Sequence, residues 1–173
     1  MNKEKFFFFG FGQTAKYFVK ELSISKKKFT FSATNTKKTK TLFFNKKKFI
    51  SFKFKNKIFD KKLIQVLKDI DYILVSIPPK NNKDLVLKKF SKVLKDIKFK
   101  KLIYLSATSV YGNHYGKWVN ENSKLRGKTI FGIGRKRAER SWLNFKNKTG
   151  HNINILRVSG IYSNENNVLK KIL

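Results

Sequence analysis

No cysteine occurs among the 173 residues, which excludes a disulfide framework, a thiolate metal centre and cysteine nucleophilic catalysis. Histidine is nearly as scarce. His114 and His151 stand far apart with no carboxylate at ligand spacing, so neither a metal site nor a histidine base is expected. Acidic side chains number ten, and no pair of them falls in a catalytic motif; Asp69 and Asp71 read as loop or capping residues ahead of a strand. No apolar run reaches the roughly 18–20 residues of a membrane span. The opening, Met1 to Lys5 followed by Phe6 to Phe9, imitates a leader peptide only faintly. Gly10, Gly12 and the polar pair Gln13-Thr14 interrupt the run, and no small-residue cleavage site follows. The expectation is a buried strand in a cytoplasmic protein without a membrane partner.

Lysine and phenylalanine are the abundant residues. Lys and Arg together number 41 and the formal net charge is +31, yet only five of the basic residues are Arg. Hydrophobic residues at 40% supply enough apolar surface for a core, so the chain is not a disordered polyelectrolyte. The charge alone predicts nonspecific adsorption to nucleic acid at low salt. A dedicated reader would favour the planar arginine fork, whereas these lysines are scattered and accompany the Phe, Asn and Ile that AT-rich coding drift produces. A basic nucleic-acid-binding module built on the fold inferred below is the alternative reading.

Along the chain, strand-like and helix-like segments alternate. Strands are expected at Lys5–Phe9, Phe29–Ala33, Tyr72–Ile77, Leu102–Leu105 and Asn154–Val158. Helices are expected at Gln13–Leu22, with Ala15, Phe18, Val19 and Leu22 inward, and at Lys61–Lys68, Asp84–Leu94 and Arg135–Asn147. Thr41–Phe54 is ambiguous, though Ile50, Phe52 and Phe54 alternate as in a half-buried strand, and Val110–Lys128 reads as a long polar connection. This rhythm predicts one doubly wound α/β domain over 1–173, Rossmann-like, with about six parallel strands and helices on both faces. Ligands then sit at the carboxyl ends of the strands.

The first strand is followed by Gly10-Phe11-Gly12-Gln13-Thr14-Ala15, the G-x-G-x-x-G/A pattern between a strand and a helix. Gly10 permits the tight turn, Gly12 lets a pyrophosphate approach the backbone, and Ala15 lets the helix pack closely on the sheet. The helix N-terminus faces the anion. At the end of the second strand, an NAD-preferring site usually carries an acidic residue for the ribose 2′-hydroxyl. None is present. Asn35, Lys37 and Lys38 suit a 2′-phosphate instead, which favours NADP over NAD.

Later segments narrow the reading. Ile73 to Pro79 ends one strand, and Leu105-Ser106-Ala107-Thr108-Ser109-Val110-Tyr111-Gly112 ends the next, followed by Lys117-Trp118-Val119-Asn120-Glu121. Then come Gly134-Arg135-Lys136-Arg137-Ala138-Glu139 and Leu156-Arg157-Val158-Ser159-Gly160-Ile161-Tyr162. In this order, with the glycine turn, the chain resembles the extended and atypical short-chain dehydrogenase/reductases of the NAD-dependent epimerase/dehydratase type. The resemblance covers nearly the whole chain and implies a Rossmann-like fold that binds NAD(P). It implies cofactor contacts from Gly10, Gly12, Gln13 and Thr14, from Thr34 and Asn35 at the adenosine ribose, from Ser76, Ile77 and Pro78 in the middle, and from Ser106 and Arg135 at the nicotinamide end. Trp118 either covers a nucleotide or pins its loop to the domain.

Three departures from that family stand out. Its members carry a Y-x-x-x-K pair, in which the lysine cation lowers the phenol pKa and the phenol exchanges a proton with substrate during hydride transfer. Here the two positions are Phe131 and Arg135, and phenylalanine has no proton to exchange. The hydroxyl three residues before the V-Y-G valine is replaced by Ala107. Thr108 and Tyr111 are the remaining candidate catalytic groups, against the simpler expectations that Thr108 satisfies backbone at a strand end and Tyr111 packs at the start of a loop. Finally, Val168 to Leu173 follows closely on the sixth strand, leaving no length for the substrate lobe; a separate chain supplying it is an implied partner, and impaired turnover is expected.

Overall fold

The computed structural model describes residues 3–25, 27–56 and 58–161. Tyr162 of the last motif and the Val168–Leu173 stretch lie outside the described residues. The elements are β1 (Glu4–Phe9), α1 (Gln13–Ile24), β2 (Phe29–Asn35), β3 (Lys40–Phe44), β4 (Lys47–Lys55) and β5 (Ile58–Phe59). They continue with α2 (Lys62–Leu67), β6 (Tyr72–Val75), α3 (Leu85–Asp96), β7 (Lys101–Ala107), a 3-10 turn at Thr108–Val110, α4 (Ile130–Thr149) and β8 (Ile153–Val158).

The sheet order is β3-β4-β2-β1-β6-β7-β8, with β5 pairing with β4. Six strands, β4-β2-β1-β6-β7-β8, run parallel, as the βα rhythm predicts. In order of their appearance this is 3-2-1-4-5-6, the doubly wound arrangement. The segment that the sequence left ambiguous is a hairpin: β3 runs antiparallel along the outer edge of β4, and β5 adds a second short antiparallel pair. The reason is local. Asn45 and Lys46, at φ 48 and 60, both take the left-handed region that a two-residue primed turn requires. No helix therefore covers the crossover from β2 to β4.

β1 is buried on both faces, and its alternating phenylalanines feed two cores. Phe7 and Phe9 join α2, α3 and α4 through Leu63, Phe90 and Trp142. Phe6 and Phe8 join α1 through Ala15 and Val19. Each fully buried aromatic contributes about 1.5–3 kcal/mol of burial free energy. Phe18, expected to point inward, is 40% exposed because no other described residue covers the sheet face beside it. α4 starts at Ile130 rather than Arg135. Thr129 caps it by accepting from the Gly132 amide at 3.0 Å. Gly132, which mimics a loop residue in sequence, is there because a Cβ would meet the Ser109 carbonyl oxygen at 2.6 Å.

Candidate functional site

The carboxyl ends of β1, β2 and β6 meet at the glycine turn. Gly10 has φ +91, and a Cβ there would lie 2.7 Å from Ser76 Oγ and 3.2 Å from Ile77 Cγ1. Its amide donates to Thr34 Oγ1 at 2.8 Å. Ser76 Oγ lies 3.1 Å from the Phe9 carbonyl oxygen and 3.2 Å from that of Gly10, within hydrogen-bonding reach of both. The turn is thus clamped between β2 and β6 at the point where the strand order reverses. Gly12 caps α1 in extended backbone, φ −83 and ψ −167, with no side-chain cap. A Cβ at Gly12 would meet nothing within 4 Å, so the space over the N-terminus of this twelve-residue helix is open. Open space beside the α1 N-terminus, where the amides of the first turn lie, fits an anionic diphosphate bridge. Gln13 and Thr14, both half-buried, form the first residues of the helix.

At the end of β2 the two residues expected at the ribose are engaged internally. Thr34 is buried and holds Gly10. Asn35 donates to Ser51 Oγ at 2.8 Å, to the Ser51 carbonyl at 3.0 Å and to the Lys38 carbonyl at 3.1 Å, while its Oδ1 accepts from the Lys37 amide at 2.7 Å. Both shape the rim, and Lys37 and Lys38 extend from it exposed.

The far side of the crevice is formed by β6, β7 and α4. Ser76, Ile77 and Pro78 leave the end of β6, with Pro78 exposed. Ser106 is buried on β7, and its Oγ has no hydrogen-bond partner among the described residues. Arg135, in α4, donates from Nη1 to the Leu105 carbonyl, which ties the helix to the strand end. The 3-10 turn packs on the first turn of α4 through Gly132, so Thr108, Phe131 and Arg135 belong to neighbouring elements. Thr108 is exposed, and its carbonyl accepts from the Tyr111 amide at 3.0 Å. Phe131 is 81% exposed. Trp118 is wholly exposed, so it neither pins its loop nor covers any part of the described chain.

Two groupings escaped the sequence reading. Arg157 donates to Glu139 from Nε at 3.2 Å and from Nη2 at 3.0 Å, and from Nη1 to Tyr111 Oη at 3.1 Å and to the Glu121 carbonyl at 3.0 Å. Its guanidinium also lies 5.0 Å from the Tyr111 ring centre. Glu139 is buried, so the network ties β8, α4 and the loop after β7 into one corner, with the Tyr111 phenol inside it. The signal was present, since Glu139, Tyr111 and Arg157 all fall within the quoted motifs. The second grouping is Asp84, which caps α3 by accepting from the Leu87 amide at 2.7 Å. Burial pushes its carboxyl above the usual carboxylate range and pushes the buried Tyr104 phenol up as well.

Strand order, glycine turn and open crevice define a doubly wound, Rossmann-like fold. No family model matches the sequence, and no curated protein matches it. Solved structures do. UDP-glucuronic acid 4-epimerase from Bacillus cereus in complex with NAD is similar at TM-score 0.72 and 20% identity, over 91% of this chain and 56% of that one. UDP-N-acetylglucosamine 4-epimerase from Bacillus cereus is similar at TM-score 0.72 and 16% identity, over 95% of this chain and 62% of that one. UDP-N-acetylglucosamine 4-epimerase from Methanobrevibacter ruminantium M1, in complex with UDP-N-acetylmuramic acid, gives TM-score 0.71 and 20% identity, over 90% and 54%. The chain spans little more than half the length of these structures. No helix among the described residues is long and apolar enough to cross a membrane.

Proposed function

We infer that the chain binds a nicotinamide dinucleotide across the crevice at the ends of β1 and β6, and is the cofactor-binding part of an epimerase-like protein. The open position at Gly12, over the N-terminus of α1 and beside a turn that admits only glycine at residue 10, carries this reading. Gly10, Gly12, Gln13 and Thr14 would hold the diphosphate. Thr34 and Asn35 would shape the adenosine ribose edge, Ser76, Ile77 and Pro78 would line the middle, and Ser106 and Arg135 the nicotinamide end. Lys37 and Lys38 favour NADP over NAD, since a 2′-phosphate finds cations and no competing carboxylate at this rim. The nicotinamide of a bound cofactor accepts or delivers hydride. This chain's own residues orient that ring but supply no phenol at residue 131 to move the matching proton. Classical turnover is therefore absent from these residues, and Thr108 and Tyr111 are the candidate relocated pair among the described residues. A cytoplasmic location goes with this reading.

Fluorescence titration with NADPH and NADH tests it. Saturable binding is expected, tighter for NADPH, and no binding of either at about millimolar concentration overturns the reading. The net charge favours a second reading, a basic module that holds RNA or DNA. It requires affinity that survives physiological salt. Binding to mixed oligonucleotides that vanishes by about 200 mM salt without sequence preference reduces that reading to charge.

A further inference from the structure

Four buried polar atoms have no hydrogen-bond partner among the described residues: Asp84 Oδ2, Tyr104 Oη, Ser106 Oγ and Trp142 Nε1. They belong to the region where the start of α3, the end of β7 and α4 meet. Tyr104 and Ser106 alternate along β7 and so share one face of it. The Tyr104 ring stacks on Trp142 with 5.8 Å between centroids. On α4, Arg135, Ala138, Glu139 and Trp142 follow at i, i+3, i+4 and i+7, a single stripe. Asp84 arrives from a third side. Asn81 and Asn82, at φ 49 and 59, turn the chain after β6, and Lys80 and Lys83 exchange amide and carbonyl at 3.0 Å each way. Asn82 Oδ1 and Pro79 Cγ lie 3.6 Å from where a Cβ on Gly134 would stand, so this turn rests on α4 at the residue before Arg135. Asp84 follows two residues later, buried, with one carboxylate oxygen on the Leu87 amide.

Capping does not require this carboxylate. Asn and Ser cap a helix as well as Asp does and bury no charge. Burial raises the Asp84 carboxyl, and the Arg135 guanidinium is among the groups that oppose the rise. Burial and then the Asp84 charge push the Tyr104 phenol up, while Arg135 works against them. Asp84 and Arg135 thus act on one another inside the cluster. We propose that Asp84 is a positioning residue for Arg135, its counter-charge behind the nicotinamide end of the crevice, and so sets the chain's preference between oxidised and reduced cofactor. The proposal rests on the cofactor reading above. An oxidised nicotinamide ring carries a positive charge, and a reduced ring carries none. Arg135 therefore disfavours the oxidised ring and leaves the reduced one unaffected. The Asp84 carboxylate offsets the guanidinium, while the Leu105 carbonyl holds it in place. Glu139, the other carboxylate of the stripe, is committed to Arg157.

The test measures the affinities of the full chain for NADP⁺ and NADPH by isothermal titration calorimetry at about pH 8, and takes their ratio. Asp84→Asn keeps a capping oxygen and removes the charge. It should shift the ratio toward NADPH by about threefold to tenfold. Arg135→Gln should shift it the other way, and the double variant should return it to within about twofold of the unmodified chain. That rescue is a signature that packing alone does not produce. Thermal melts report whether each variant is folded, and Asp84→Ser, which also caps, replaces an Asp84→Asn that is not. Three results overturn the assignment and leave the cofactor reading standing. They are an unchanged ratio in Asp84→Asn, a fall in both affinities at constant ratio, and a double variant that keeps the ratio of Asp84→Asn. Absence of binding of both forms by the unmodified chain overturns the cofactor reading itself, and this assignment with it.

Discussion

Replacing each of the two glycines of the first turn by alanine separates folding from ligand binding. Gly10→Ala puts an L side chain at φ +91 with its Cβ 2.7 Å from Ser76 Oγ. The left-handed strain alone costs about 1–3 kcal/mol, and the clash adds to it. For a chain of this size the melting temperature should fall by about 5–10 °C. Gly12→Ala behaves differently. Its backbone, φ −83 and ψ −167, is open to any residue, and its Cβ meets nothing within 4 Å. Alanine is a poorer N-cap than glycine by roughly 0.5–1 kcal/mol. Restricting the unfolded chain returns about 0.4–1 kcal/mol, so the two effects nearly cancel. The melting temperature should therefore move by less than about 2 °C. The added methyl nevertheless occupies the space that a diphosphate needs to reach the amides of α1. A charge-assisted hydrogen bond is worth about 1.5–3 kcal/mol, so losing one weakens dinucleotide binding by roughly 10–100-fold. Thermal melts by circular dichroism and NADPH titration of both variants read the two quantities. An unchanged NADPH affinity in Gly12→Ala, at unchanged stability, would refute the placement of the diphosphate.

Glu139→Ala should lower stability by about 2–3 kcal/mol, because it strands the Arg157 guanidinium, while Glu139→Gln should cost less; a melt unchanged in both would show the network to be idle. Asp84 has a raised carboxyl pKa, so its contribution to stability is full below the ordinary value of 3.8 and is lost as pH rises through the folded value. Asp84→Asn keeps a capping oxygen and should flatten that part of the pH profile in urea melts; identical slopes in the two proteins would count against the buried carboxyl. The unmodified chain should show no NADPH oxidation with nucleotide sugars or simple ketones. Phe131→Tyr with Arg135→Lys tests whether the missing pair is what limits it, at a stability change within about 0.5 kcal/mol for the exposed Phe131. Robust turnover by the unmodified chain, abolished by Tyr111→Phe, would place the chemistry on the relocated pair.

Much of the frame was legible because its signals are periodic. Phe6–Phe9 bounded by Gly10 and Tyr72–Val75 are short apolar runs of strand length, and Asn154–Val158, with Ile155, Leu156 and Val158, takes the strand position that the βα rhythm leaves for it. The hairpin of β3 and β4 was not legible. Its turn is built from Asn45 and Lys46 without glycine, and the aromatic residues around it fit strand and helix alike. Gly132 and Gly134 hid the start of α4, since glycine in sequence says loop, while here Gly132 permits the helix to touch the 3-10 turn. At the site, residue types were legible but commitments were not. Thr34 and Asn35 stand where a ribose contact is expected, yet Thr34 Oγ1 also accepts from the Gly10 amide and the Asn35 side-chain amide donates to Ser51. Which partner a short polar side chain chooses depends on neighbours such as Gly10 and Ser51 that are distant in sequence.

The register of β1 has a kinetic consequence. Phe8 pairs with Leu74, and Phe9 with Val75, across some sixty intervening residues, whereas Phe44 pairs with Lys47 across a two-residue turn. Closing a long loop costs chain entropy before any contact rewards it, so the local hairpin is favoured to assemble early and the β1–β6 seam late. The glycine turn is clamped by Ser76, on the far side of that seam, and is therefore completed among the last parts of the molecule. Capacity to take up a dinucleotide then becomes a signal that the chain has finished folding. In pulse-labelled hydrogen exchange during refolding, the amides of the β3–β4 pair should gain protection before the Ser76 amide, which donates to the Phe9 carbonyl at 2.9 Å.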